Sequence, residues 1–165
     1  MSRTESPDAE LPSLEIADRP YDDPDAQRLI WALFNDQVER YGYADPAEAD
    51  PAKYAPSQGL FVVGYVTGVP ATAGGYRTYD AATRTVEIKK MYTLPEFRGQ
   101  GLGRLILTEL EHRAAASGAK RSILETGIRN VGALALYTKM GYLPTSRYME
   151  DRDPAINRAF IKELT

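Results

Sequence analysis

Arg98-Gly99-Gln100-Gly101-Leu102-Gly103-Arg104 sets three glycines on alternate positions between two arginines, directly ahead of a helix-like stretch. Glycine carries no Cβ, so the main chain is bare and its N–H groups stand open to an anion. A helix that opens from this run leaves its first N–H groups without partners and turns its positive dipole end to the same point. The arginines add charge suited to phosphate oxygens. The chemistry is that of a phosphate cradle, and the next question is which phosphate-bearing molecule it holds.

Two familiar cradles fit poorly. A dinucleotide fold would use Gly99-x-Gly101 at the helix start and Glu125, at the end of the next strand, as the ribose-binding acid about 20 residues on. The third glycine of that fingerprint falls on Arg104, and Leu94-Pro95-Glu96-Phe97 lengthens a turn that must be tight. A P-loop needs Gly-Lys followed by Ser or Thr after its glycines, and that triplet is absent.

The elements around the cradle are legible from periodicity. Leu14–Ala17 alternates like a short strand, and Asp22-Asp23-Pro24-Asp25 is a helix start. Ala26, Leu29, Ile30, Leu33, Phe34 and Val38 then recur at helical spacing to about Tyr41. Pro46–Tyr54 reads as a short helix or a loop. Leu60–Val66, Ala71–Tyr79 and Thr85–Thr93 form a strand meander, joined by a hairpin at Thr67-Gly68-Val69-Pro70 and a turn at Asp80–Thr83. Gly74-Gly75 marks a bulge or a close backbone approach. A helix follows the cradle to Ser117-Gly118, then a strand over Arg121–Thr126 and a helix capped by Asn130 and closed by Gly141. Tyr142–Tyr148 and Arg158–Leu164 supply two last strands. Lys89 and Lys90 put adjacent charges in a central strand, so one must reach solvent or find a partner.

Composition bounds the rest. The 165 residues, 43% apolar and 26% charged, suit one globular α/β domain over 13–165 behind a loose polar tail over 1–12. A net charge of −3 argues against a nucleic-acid binder. Without cysteine there is no thiolate metal site, no disulfide and no acyl-cysteine intermediate. The polar, acidic opening and the lack of an apolar run near the ~20 residues of a membrane helix make a cytoplasmic protein the expectation, with no membrane partner.

The run Arg98–Gly103 resembles the R/Q-x-x-G-x-G/A motif of the GNAT superfamily of N-acetyltransferases. The similarity extends upstream to Val86-Glu-Ile-Lys-Lys-Met-Tyr-Thr93. Downstream, Asn130-Val-Gly-Ala-Leu-Ala-Leu-Tyr137-Thr-Lys-Met-Gly-Tyr142 is similar to N-x-x-A-x-x-L-Y-x-K-x-G-F/Y. Two motifs in order, on the element sequence this fold requires, are far more specific than the glycines alone. The resemblance implies a mixed, mostly antiparallel sheet flanked by helices and splayed near Met91 to admit acetyl-coenzyme A.

It also implies roles. Main-chain N–H groups of Arg98, Gly99, Gln100, Gly101, Leu102, Gly103 and Arg104 would bind the pyrophosphate. Met91 and Thr93 would pair their main chain with pantetheine, and a main-chain N–H near Tyr92 would polarise the thioester carbonyl. Asn130 matches a pantetheine contact, though an N-cap explains it equally. Tyr137 matches the residue that protonates the departing thiolate, or is a core tyrosine. A phenol of pKa ~10 needs help from geometry or local charge to protonate a thiolate whose thiol lies near ~8.5. Glu87 matches a general-base glutamate, or serves as an ion-pair partner.

Direct acetyl transfer to a primary amine in a ternary complex, without a metal, is the implied reaction. A coenzyme A-binding regulatory module without turnover stays open beside it. Tyr41, Tyr43, Asp45, Glu48 and Asp50 offer either an aromatic and acidic wall for a cationic amine or a solvated loop. A homodimer is common for the fold, and the acceptor itself has no motif.

Overall fold

The computed structural model describes residues 13–46, 48–149 and 152–164. The tail expected over 1–12 lies outside the described residues. A seven-stranded sheet runs in the order β1 (Leu14–Asp18), β2 (Gly59–Val66), β3 (Val69–Asp80), β4 (Thr85–Thr93), β5 (Arg121–Gly127), β7 (Asn157–Glu163), β6 (Leu143–Thr145). Neighbours are antiparallel except β4 and β5, which are parallel.

β2 shows why its sequence is a continuous apolar run. Leu60 and Val62 join the core beneath α2 (Leu102–Ala116), while Phe61 and Val63 join a second core with Ala26 and Leu29 of α1 (Pro24–Tyr41). Alternate side chains therefore enter opposite layers, and both faces of the strand are buried. Ile106, Leu107, Leu110 and Ala114 of α2 are fully buried. Truncating Leu110 to alanine would cost about 2–5 kcal/mol. The third helix, α3 (Val131–Lys139), packs Leu134, Leu136 and Tyr137 against the α2 core.

Local signals set the helix ends. The Asp23 carboxylate accepts from the N–H groups of Asp25 (2.9 Å) and Ala26 (3.2 Å), and Pro24 fills the first turn. Pro51–Tyr54 forms only a 3-10 turn, opened by the Asp50 side chain. The strand expected over Tyr142–Tyr148 contracts to three exposed residues at the sheet edge, where Pro144 withholds a ladder donor. Among the described residues no helix is long and apolar enough to cross a membrane.

The sheet opens along β4. Gly75 pairs with Lys89 and Ala73 with Tyr92, so the single residue Gly74 faces both Lys90 and Met91. This is a bulge, with Lys90 in the left-handed region at φ 59°. Gly74 permits it, because a Cβ there would lie 2.4 Å from the Met91 sulfur. On the other edge, β5 pairs with β4 only through Thr85–Glu87. From Ile88 onward no strand among the described residues pairs with that edge of β4.

Candidate active site

The opening holds two cavities. The larger, about 550 Å³, is lined by Met91–Thr93 of β4, the cradle loop, the start of α2 and the start of α3. Gly99 and Gly101 have φ of 81° and 79°, a region that L side chains enter at a cost of roughly 1–2 kcal/mol. Space is not their constraint, since a Cβ on either would meet nothing within 4 Å. Gly101 caps α2 without a side-chain hydrogen bond, and the helix ladder begins with Leu105 N–H to the Gly101 carbonyl at 3.2 Å. The amides of Leu102, Gly103 and Arg104 are thus left free at the cavity wall. Arg104 is exposed beside them. Arg98 instead braces the loop: its Nε donates to the Thr93 carbonyl (2.9 Å) and its guanidinium lies 5.3 Å from the Tyr92 ring centre.

The smaller cavity, about 100 Å³, lies on the far side of the same wall. Met91, Asn130 and Tyr137 line both spaces, as do Leu33, Asp36 and Arg40 of α1. Tyr137 is 5% exposed and stacks edge-on with Tyr142. Burial alone raises its phenol well above the ordinary range. The Asn130 side chain accepts from Ala133 N–H at 3.3 Å, so it caps α3, and the residue lines both cavities.

Glu87 lines the smaller cavity at 2% exposure. Arg77 Nε donates to one of its oxygens (3.0 Å) and the Tyr148 hydroxyl to the other (2.8 Å). Arg77 also binds Glu48 at 2.9 Å. Glu87 is thus an ion-pair partner, and it also lines the cavity. Burial, and next the Glu87 charge, raise the Tyr148 phenol far above its usual range.

The wall expected from Tyr41, Tyr43, Asp45, Glu48 and Asp50 assembles only in part. Tyr41, Tyr43 and Asp45 line the smaller cavity. Glu48 is committed to Arg77 and Lys53, Asp50 caps the 3-10 turn, and Asp45 is paired with Arg152. Free carboxylates for a cationic ligand are therefore scarce, because intramolecular cations reached them first.

Of the residues predicted for the cofactor, Met91, Tyr92, Thr93, Arg98, Gly99, Gly101, Leu102, Gly103, Arg104 and Asn130 line the larger cavity, and Gln100 does not. Sequence reasoning missed Asp36 and Arg40, an ion pair at 3.1 Å one turn apart on α1. Their four-residue spacing on the polar face was the available signal. Arg77, Tyr148 and Arg152 carry no local motif and reach the site only through the fold.

Comparison with known proteins agrees with this geometry. The model of the Acetyltransferase (GNAT) family matches residues 24–142. YdgE of Bacillus subtilis (strain 168), an uncharacterized N-acetyltransferase, is 31% identical over 125 residues, covering 73% of this chain and 59% of that protein. The chain thus spans little more than half of that relative's length. Among solved structures, a Klebsiella pneumoniae protein described as a candidate acyl-CoA N-acyltransferase superposes with a TM-score of 0.77 at 25% identity, over 93% of this chain and 99% of that one. The yncA protein of Salmonella typhimurium, solved with its cofactor acetyl-CoA, shares the fold at a TM-score of 0.68 and 21% identity, over 92% and 94% of the two chains.

Proposed function

The chain belongs to the Acetyltransferase (GNAT) family, and we propose that it transfers acetyl from acetyl-coenzyme A directly to a primary amine. One observation carries the reading. A cavity walled by free main-chain amides and a second walled by ionisable side chains share Met91, Asn130 and Tyr137, so two substrates can meet across one partition.

Each residue then has a task. The amides of Gly99 and of Gly101–Arg104 hold the diphosphate, and the unpaired edge of β4 at Met91 and Thr93 receives the pantetheine amides. A donor of the kind expected near Tyr92 steadies the developing oxyanion, a contribution of roughly 3 kcal/mol. Glu87 takes the proton from the ammonium so that a neutral amine attacks. Each of its oxygens keeps a lone pair beyond the one its partner uses, which leaves room for a bridging water. Tyr137 gives its proton to the leaving sulfur. No residue is acylated, so acceptor and donor bind together.

The test is release of free thiol from acetyl-coenzyme A across a panel of amines, amino acids, polyamines and lysine peptides. Thiol release that depends on an amine supports transfer. Tight coenzyme A binding with no release by any member points instead to a regulatory module.

A further inference from the structure

Lys89 and Lys90 are neighbours in sequence, yet both line the smaller cavity. In a regular strand consecutive side chains point to opposite faces. The bulge at Lys90, with its left-handed φ of 59°, breaks the alternation and delivers both side chains to one space. A lysine in that conformation is uncommon, and such outliers persist where the surroundings over-determine them.

Four carboxylates and four cations line that space, yet the two lysines stand outside its ion pairs. Asp36 is paired with Arg40, Asp45 with Arg152, and Glu87 with Arg77. Glu125 accepts weakly from the N–H groups of Tyr148 (3.3 Å) and Met149 (3.4 Å) and faces Arg152 at 3.8 Å. Arg152 thus faces both Asp45 and Glu125, and no carboxylate lining the cavity is paired with a lysine. Lys89 and Lys90 form no hydrogen bond and no ion pair within 4.0 Å among the described residues. Burial depresses both ammonium groups, and for Lys90 the Lys89 charge acts next in the same direction. Two cations held together in a small cavity ask for an anion.

Resting on the transfer reading above, we propose that the acceptor carries a carboxylate beside its amine, seated on Lys89 and Lys90. The substrate is a small amino-acid-like zwitterion. A plain amine or polyamine would bring only positive charge to a space where two lysines already stand without an ion-pair partner among the described residues. The volume of about 100 Å³, room for about three waters, accommodates the amine and carboxylate ends but not a bulky polycation.

The experiment separates recognition from turnover. L-alanine, L-methionine and L-arginine, each with its α-carboxamide, are titrated calorimetrically into the protein with and without saturating coenzyme A. Thiol release from acetyl-coenzyme A is followed in parallel. At least one acid should bind about tenfold or more tighter than its amide, as a charge-assisted contact requires. Lys89→Gln and Lys90→Gln should erase that preference, with melting temperatures confirming that both variants fold. The amide's amine is the less basic and so the more often neutral, which means a preference for the acid cannot arise from nucleophile availability.

Amides that bind as well as the acids, a preference that survives both variants, or no binding by any acid would each overturn the proposal. Lysine-dependent binding of an acid without thiol release would leave it standing and remove the transfer reading instead.

Discussion

The two cavities are made of different material. The larger, proposed here for the acetyl donor, is main chain: free amides at the mouth of α2, a bare glycine turn and an unpaired strand edge. The smaller, proposed here for the acceptor, is side chain: ion pairs such as Asp36–Arg40, Glu87–Arg77 and Asp45–Arg152, and two lysines without a partner among the described residues. A main-chain site cannot be altered without changing backbone geometry, so it suits a ligand that never varies. A side-chain site is rewritten by point substitution, so it suits a ligand that differs from one relative to another.

The largest effect that would break this contrast is expected at Gly101. Gly101→Val forces a β-branched residue into φ 79° and tilts the free amides. Acetyl-coenzyme A affinity should fall about 100-fold or more, close to 2.7 kcal/mol, with a further ~1–2 kcal/mol lost from folding stability. Calorimetry with acetyl-coenzyme A and thermal melting measure the two. Retained tight binding would mean that the cradle does not hold the diphosphate.

Tyr137→Phe tests the shared wall. Turnover should drop about 10²-fold while acetyl-coenzyme A binding changes little, because a hydroxyl that acts in proton transfer matters only in the transition state. The structure shows no hydrogen bond from that hydroxyl to a described residue, so stability should hold within about 1 kcal/mol. Pre-steady-state thiol release gives the chemical step directly. Unchanged turnover would reduce Tyr137 to packing against Tyr142.

On the acceptor side the effects turn structural. Glu87→Ala strands Arg77, which keeps Glu48, and leaves the buried Tyr148 hydroxyl unpaired. Removing one partner of a fully buried pair costs about 3–5 kcal/mol, and the remaining contact to Glu48 should hold this case to about 2–3. Denaturant unfolding measures it. Glu87→Gln, which preserves shape, can accept from Arg77 through its amide oxygen and donate its NH2 to the Tyr148 hydroxyl, so it should recover most of the stability but not the turnover. Recovery of both would show that Glu87 is no base.

This division also explains what was legible in the chain. The cradle lies within Arg98–Arg104, and its chemistry follows from glycine spacing and a helix start, both local properties. The meander and the two motif-bearing helices follow from periodicity in the same way, whereas the opening at β4 is what the family resemblance implies. The acceptor site depends on contacts such as Tyr148 to Glu87 and Arg152 to Asp45, separated by 61 and 107 residues. No period or motif encodes such a pairing. The sequence does show Lys89 and Lys90 as a conflict, two charges where a buried strand is expected. It cannot show that a bulge opposite Gly74 resolves the conflict by sending both into one cavity.

The smallest predicted effect sharpens that last point. Lys90 carries two burdens, a left-handed backbone and a depressed ammonium. Lys90→Gly removes both and should raise stability at neutral pH by about 1 kcal/mol, the conformational term less the extra chain entropy of glycine. The pH dependence identifies the second burden. Because the folded-state pKa lies below the unfolded one, the unfolded chain binds more protons between the two values. Stability of the native chain should therefore rise with pH across the interval that ends at the ordinary lysine range near 10.5. The glycine variant should show a shallower rise, the remainder belonging to Lys89, which burial depresses in the same direction. Urea unfolding at several pH values between neutrality and that limit would measure the two slopes. Equal slopes would mean that Lys90 reaches solvent, and the stability gain would then be backbone strain alone. A stabilised variant that has also lost its preference for the carboxylate-bearing acceptor would show that the strained lysine is kept for binding and not for the fold.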